Sequence, residues 1–132
     1  MEQYVVDTHP LLWYLAADER IGDDAKRVLE KSEAGEINII VPAIVFIEAI
    51  EVIRKGKVVY SIDELLQQIN QRPNFVIKNL DSDIITLYKN YSPSIKLDSH
   101  DKIIIVTAQH FGNSPIITKD DDIQKVYSSI IW

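Results

Sequence analysis

Five short apolar runs, each rich in Val or Ile and separated by longer stretches with helical spacing, constrain this chain more than any other feature. The runs are Tyr4–Val6, Ile37–Val41, Phe75–Ile77, Pro115–Thr118 and Ser129–Trp132. Runs that are short and continuously apolar, rather than alternating, suit strands buried on both faces of a parallel sheet. The stretches between them carry helix signals. Thr8 is a candidate cap for a helix with Pro10 in its first turn and Leu11, Leu12 and Leu15 on one side. Asp23 can cap the next, which stops at Gly35; Pro42 opens a third that reaches about Lys55 and ends at Gly56. Ser61-Ile-Asp-Glu64 has capping-box spacing before Leu65, Leu66 and Ile69. Asp81 or Ser82 starts another helix, Asp98 or Ser99 starts one that runs to Gly112, and a short last one spans Asp120 to Val126. Strands alternating with helices predict an α/β fold of three layers, a mostly parallel sheet of about five strands flanked by helices. There is no internal repeat, low-complexity tract or linker, so residues 1–132 are expected to form one domain.

Composition matters where it removes chemistries. The absence of cysteine excludes disulfides, thiolate catalysis and Cys-ligated zinc. The apolar start Tyr4-Val5-Val6 is broken at once by Asp7, His9 and Pro10, unlike a secretory signal, and no run approaches the ~20 apolar residues of a membrane span. The cytoplasm is therefore the expected compartment. A net charge of −6 is wrong for a protein that holds nucleic acid by counterion release alone. Either nucleic acid is not the partner, or some of the acids are gathered to hold divalent cations that meet the phosphates. Composition leaves both open.

Open α/β sheets bind ligands beyond the carboxyl ends of their strands, so acids at those ends come first. Asp7 directly follows Tyr4–Val6, and Asp120 follows Ile116-Ile-Thr-Lys119. Each has a plain alternative as a helix cap, stronger for Asp120 because Asp121 and Asp122 follow it. Glu48 is set apart by helical spacing. Its neighbours three and four residues away are Ile44, Val45, Glu51 and Val52, whereas Glu51 has Arg54 and Lys55 in reach. Glu51 reads as a paired surface acid, and Glu48 as an acid on or beside the packed face, where an unpaired carboxylate is costly. Asp98 and Asp101 are three apart at the start of a very apolar helix. Asp98 suits the cap and Asp101 points inward. Four carboxylates with no Cys favour a hard cation, Mg²⁺ or Mn²⁺, over zinc. His9, His100 and His110 are too scattered for a zinc set, and surface or capping roles suit His9 and His100. No Ser-His-Asp set, Cys-His pair or phosphate-cradling glycine loop is present.

Four segments in order carry a family resemblance: VVDTHPLLWYL at residues 5–15, FIEAI at 46–50, DSHDKIIIVTA at 98–108 and IITKD at 116–120. Together they resemble PIN domains, and especially the VapC-type toxins of bacterial toxin–antitoxin pairs. The resemblance implies endoribonuclease activity, one or two Mg²⁺ or Mn²⁺ ions, an RNA substrate, a cognate antitoxin and a homodimer. It also implies Asp7 and Asp101 as principal metal ligands, with Glu48 and Asp120 completing the catalytic centre. Thr8, Asp98, Thr118 and Asp122 stand beside these positions as supporting residues, and the choice among Asp120, Asp121 and Asp122 stays open. The departures are mild: Ser99 where the family often has Pro, Lys102 for the usual Arg, Val106 for Ala. Two rivals stay within the α/β class. One is a catalytically silent PIN-like binding module. The other is a phospho-acceptor receiver domain, suggested by Thr118-Lys119. A receiver needs two adjacent acids after its first strand, yet Thr8 follows Asp7, and an acceptor Asp after a middle strand, yet Ile37–Val41 runs into Pro42. Arg54, Lys55 and Lys57 read as a solvated face rather than an RNA contact.

Overall fold

A computed structural model describes all residues from Met1 to Trp132. The five apolar runs become strands β1 (Gln3–Val6), β2 (Asn38–Pro42), β3 (Phe75–Lys78), β4 (Ile116–Ile117) and β5 (Ile130–Ile131). They form one sheet in the order β3-β2-β1-β4-β5. Every pairing is parallel, with Tyr4 beside Ile39 and Val6 beside Ile117, so the sheet is wholly rather than mostly parallel.

Seven helices connect them. Helices α1 (Thr8–Leu15) and α2 (Asp23–Glu33) lie between β1 and β2, and α3 (Ala43–Arg54) and α4 (Ile62–Asn70) between β2 and β3. Helices α5 (Ser82–Asn90) and α6 (Ser99–His110) return the chain to β4, and α7 (Asp121–Val126) leads to β5. The first three strands step one way across the sheet and the last two fill its other side. Right-handed crossovers then put α1 to α4 on one face and α5 to α7 on the other. Packing agrees: α1 touches α2 and α3, α3 touches α4, and α5 lies against α6.

The caps mostly follow the local chemistry. Ser61, Asp81, Asp98 and Asp120 each accept a backbone N–H of the helix they precede. Two starts differ from expectation by one residue. Asp7, not Thr8, caps α1, because its carboxylate accepts the Thr8 N–H and Thr8 is already helical. Gly22, without a side chain to offer, precedes α2, and Asp23 falls in the first turn, where its charge complements the dipole. Gly35 and Gly56 end α2 and α3 at φ +79° and +72°, backbone that a side chain disfavours.

Val5, Val6, Ile39, Ile40, Val41, Ile116 and Ile117 form the middle of the core, with Leu11, Leu29, Ile104 and Ile105 packed over them from the helices. A smaller cluster of Leu12, Trp13, Ala49, Val58 and Leu65 joins α1, α3 and α4. Burying each of the larger side chains contributes roughly 1.5–3 kcal/mol. No helix is long and apolar enough to cross a membrane.

Candidate metal centre

The strand order reverses at β1: the chain leaves it for β2 on one side and reaches β4 on the other. The crevice beyond the carboxyl ends of β1 and β4 is thus the switch point where open α/β sheets place ligands. Asp7 is the first residue past β1, and Thr118 the first past β4. α3 starts at the same edge because it follows β2. α6 also starts there, since it must run back to reach the beginning of β4. Asp7 and Asp120 therefore come from strand ends, Glu48 from the helix layer on one face and Asp101 from the layer on the other.

A chain of hydrogen bonds links these elements. Thr118 Oγ1 donates to Asp7 Oδ2 at 2.7 Å, and the Thr8 N–H donates to Asp7 Oδ1 at 2.8 Å. The Thr8 hydroxyl donates to Glu48 Oε1 at 3.1 Å, and His100 Nδ1 lies 3.3 Å from Glu48 Oε2. Thr118 Oγ1 also accepts the Asp120 N–H at 3.0 Å. Thr8 and Thr118 are buried, at 2% and 0% exposure, so both hydroxyls need such partners. Thr8 thus joins two acids at once, through its backbone to Asp7 and its side chain to Glu48.

The acids disturb one another. Burial pushes the Asp7 carboxyl above its ordinary range and the charge of Asp120 adds to this, against the hydrogen bonds from Thr118 and Thr8. Glu48 is raised by burial and by the charge of Asp7, opposed by Thr8 and His100. Asp101 is pushed up to about 7, first by burial and then by the charges of Asp120, Asp98, Asp7 and Glu48. One neighbourhood therefore holds all four sequence-predicted acids, with too little positive charge to satisfy them.

The supporting residues are less uniform. Asp98 is exposed and accepts the Asp101 N–H at 2.9 Å, holding the first turn of α6. Asp120 caps α7 by accepting the N–H groups of Asp122 and Ile123 at 2.8 and 3.0 Å. Asp121 and Asp122 are exposed, and Asp122 lies 3.7 Å from Lys125. Of the three consecutive acids, Asp120 is the one whose charge acts on Asp7 and Asp101. Sequence reasoning gave His100 a surface or capping role. Its contact with Glu48 crosses from α6 to α3, a pairing that helical spacing cannot reveal.

The donor set suits a hard divalent cation, being all oxygen and carrying excess negative charge. The side chains are not drawn into one shell, however, and no three His, Asp or Glu groups stand ready to enclose an ion. Hydrogen bonds already engage both oxygens of Asp7, while the Asp120 carboxylate is turned toward α7. A depression of about 310 Å³ opens beside Asp7 and Asp120 and is also lined by His9, Pro10, Trp13 and Lys119. The largest cleft, about 540 Å³, lies along α1 and α2 and contains none of the four acids. We place the chemistry at the four acids of the sheet edge, because in the larger cleft Asp18 and Glu33 are already paired with Arg20 and Arg72.

Three solved structures share the fold over nearly the whole chain. A toxin–antitoxin complex from Klebsiella pneumoniae matches at 20% identity and TM-score 0.66, covering 98% of this chain and 96% of that one. VapBC2 from Rickettsia felis, bound to a DNA fragment from its promoter, matches at 15% and 0.67 with the same coverage. FitAB bound to a DNA fragment matches at 12% and 0.64, covering 96% and 92%. At these identities the likeness concerns the fold. No curated protein gives a significant sequence match. The family model for the PIN domain matches residues 4–128, a span that holds both strand-end acids, Glu48 and Asp101. The chain belongs to the PIN domain family.

Proposed function

We propose that this protein is a Mg²⁺- or Mn²⁺-dependent endoribonuclease, and that it is the toxin of a VapBC-type toxin–antitoxin pair. One observation carries the reading: carboxylates from two strand ends and from both helix layers lie within reach of one another's charge at the switch point of the sheet, where Asp120 raises Asp7, Asp7 raises Glu48, and all three raise Asp101. Such repulsion is costly for a fold without a counter-charge. Asp7 and Asp101 would be the principal ligands, with Glu48 and Asp120 completing the centre. A divalent ion held there supplies water activation and charge stabilisation at a phosphodiester.

The chain's own groups set the geometry for that chemistry. Thr118 and the Thr8 N–H fix both oxygens of Asp7, which lines the depression beside Asp120. Thr8 and His100 hold Glu48 from opposite sides. Asp98 anchors the turn that presents Asp101. No side-chain nucleophile is needed. RNA as substrate, the cytoplasm as compartment, a homodimer and a small inhibitory partner follow from the family resemblance, and the toxin–antitoxin complexes among the structural neighbours support the last.

The absence of a ready-made shell would also suit a silent binding module. Substitution separates the two readings. Asp7→Asn keeps the shape of the side chain and removes its charge, so RNA cleavage in Mg²⁺ should drop to background while circular dichroism stays that of the wild type. A folded Asp7→Asn protein that cleaves as the wild type does overturns the assignment.

A further inference from the structure

Four carboxylates at one sheet edge repel a polyanion, so an RNA-cleaving chain needs cations placed beside them. A net charge of −6 offers no general attraction. The depression next to Asp7 and Asp120 has one cation in its lining, Lys119. Lys119 is exposed and, although three acids follow it, has no carboxylate within 4 Å. Its ammonium lies instead 6.0 Å from the centre of the Trp132 ring. Trp132 meets Trp13 edge-on at 5.8 Å, and Trp13 meets the exposed His9 ring at 5.5 Å. A row of His9, Trp13, Trp132 and Lys119 therefore borders the acidic centre. Trp13 is 7% exposed, and its indole N–H is the only buried side-chain polar group without a partner in the protein. Trp13 lines this depression as well as the larger cleft.

Cation, stacking ring and spare donor are what a single-stranded nucleic acid takes: phosphate on the ammonium, an unpaired base on the ring. We infer that this depression is the subsite for the nucleotide beside the scissile phosphate of a single-stranded RNA, with Lys119 on a backbone phosphate and His9 stacked on the adjacent base. The inference rests on the endoribonuclease reading and adds which side chains of this chain hold the substrate beside the acids. Stacking tolerates any base, so the subsite gives affinity and a preference for single strands rather than base specificity.

The test uses a fluorescein-labelled single-stranded oligoribonucleotide, its duplex form, and the intact protein in Mg²⁺. Binding is read by anisotropy in an Asp7→Asn background, so that the probe survives, and cleavage kinetics in the wild-type background. Lys119→Ala should weaken binding about equally for every sequence and lower the slope of log affinity against log salt by about one. His9→Ala should weaken single-strand binding by roughly tenfold and leave duplex binding unchanged. Both should raise KM with little change in kcat. Lys119→Arg should restore the salt slope, and Lys89→Ala, at the far end of α5, should do nothing. If the wild type cleaves RNA but both variants match it in affinity and KM, the subsite is wrong and the nuclease stands. If the wild type neither binds nor cleaves RNA in Mg²⁺ or Mn²⁺, both fall.

Discussion

Thr118 joins two strand ends with a single hydroxyl, donating to Asp7 and accepting from the backbone of Asp120. Replacing it with Val would leave a carboxylate oxygen and an N–H short of a partner in a fully buried place, a loss of about 1–3 kcal/mol. The urea midpoint should fall accordingly. Cleavage should fall too, because Asp7 loses one of the bonds that favour its charged form. Thr118→Ser should recover most of both, and a Val variant as stable and active as the wild type would contradict this role. Individual residues were unevenly legible in the sequence. Glu48 stood out because its helical neighbours are mostly apolar, and Asp7 and Asp120 because they follow strands. His100 and Lys119 gave no such signal: what matters about them is a neighbour from another element, Glu48 for one and the Trp132 ring for the other.

At the scale of elements, each strand and helix could be placed from the sequence to within a residue or two. Ser61, Asp81, Asp98 and Asp120 are side chains that compete for helix N–H groups, and they start helices wherever an apolar pattern follows. The errors arose where two residues compete for one cap. Asp7 takes that position before α1, and Thr8 is left to bridge toward Glu48. Gly22 carries a constraint that local pattern hides. A Cβ there would sit 2.7 Å from both the backbone and the ring of Trp132, so the glycine lets the last residue pack against the start of α2. Gly22→Ala should cost about 1–3 kcal/mol, the usual range for forced overpacking. Trp132 should be displaced with it, seen as a red shift of tryptophan fluorescence. An alanine variant with unchanged stability and emission would show that this contact is not tight.

For the molecule as a whole, the acidic centre sets stability against function. Asp101 titrates near 7 in the folded chain and near 3.9 when unfolded, so between those values the folded state holds a proton that the unfolded state has lost. Stability of the chelated protein should therefore fall as pH rises from about 4 to about 7, then level off. Asp7 and Glu48, raised in the same direction, add to the trend. Asp18 and Asp81 are lowered by Arg20 and Lys78, so what they contribute is lost only as pH falls below about 4. Both sit at the surface, half-buried and screened by water, and their share is small. Asp101→Asn should raise the Tm of the chelated protein by about 2–6 °C above neutral pH while removing the stabilisation that Mg²⁺ gives the wild type. A Tm that ignores both pH and this substitution would mean that the acids do not burden one another. The most direct measurement of the central claim is RNA cleavage by chelator-treated wild-type protein, followed during titration with Mg²⁺ and then Mn²⁺. No cleavage in chelator, saturable recovery with either ion, and no recovery in Asp101→Asn are the expected results. Equal cleavage with and without divalent ions, or full recovery in the Asn variant, would contradict the claim.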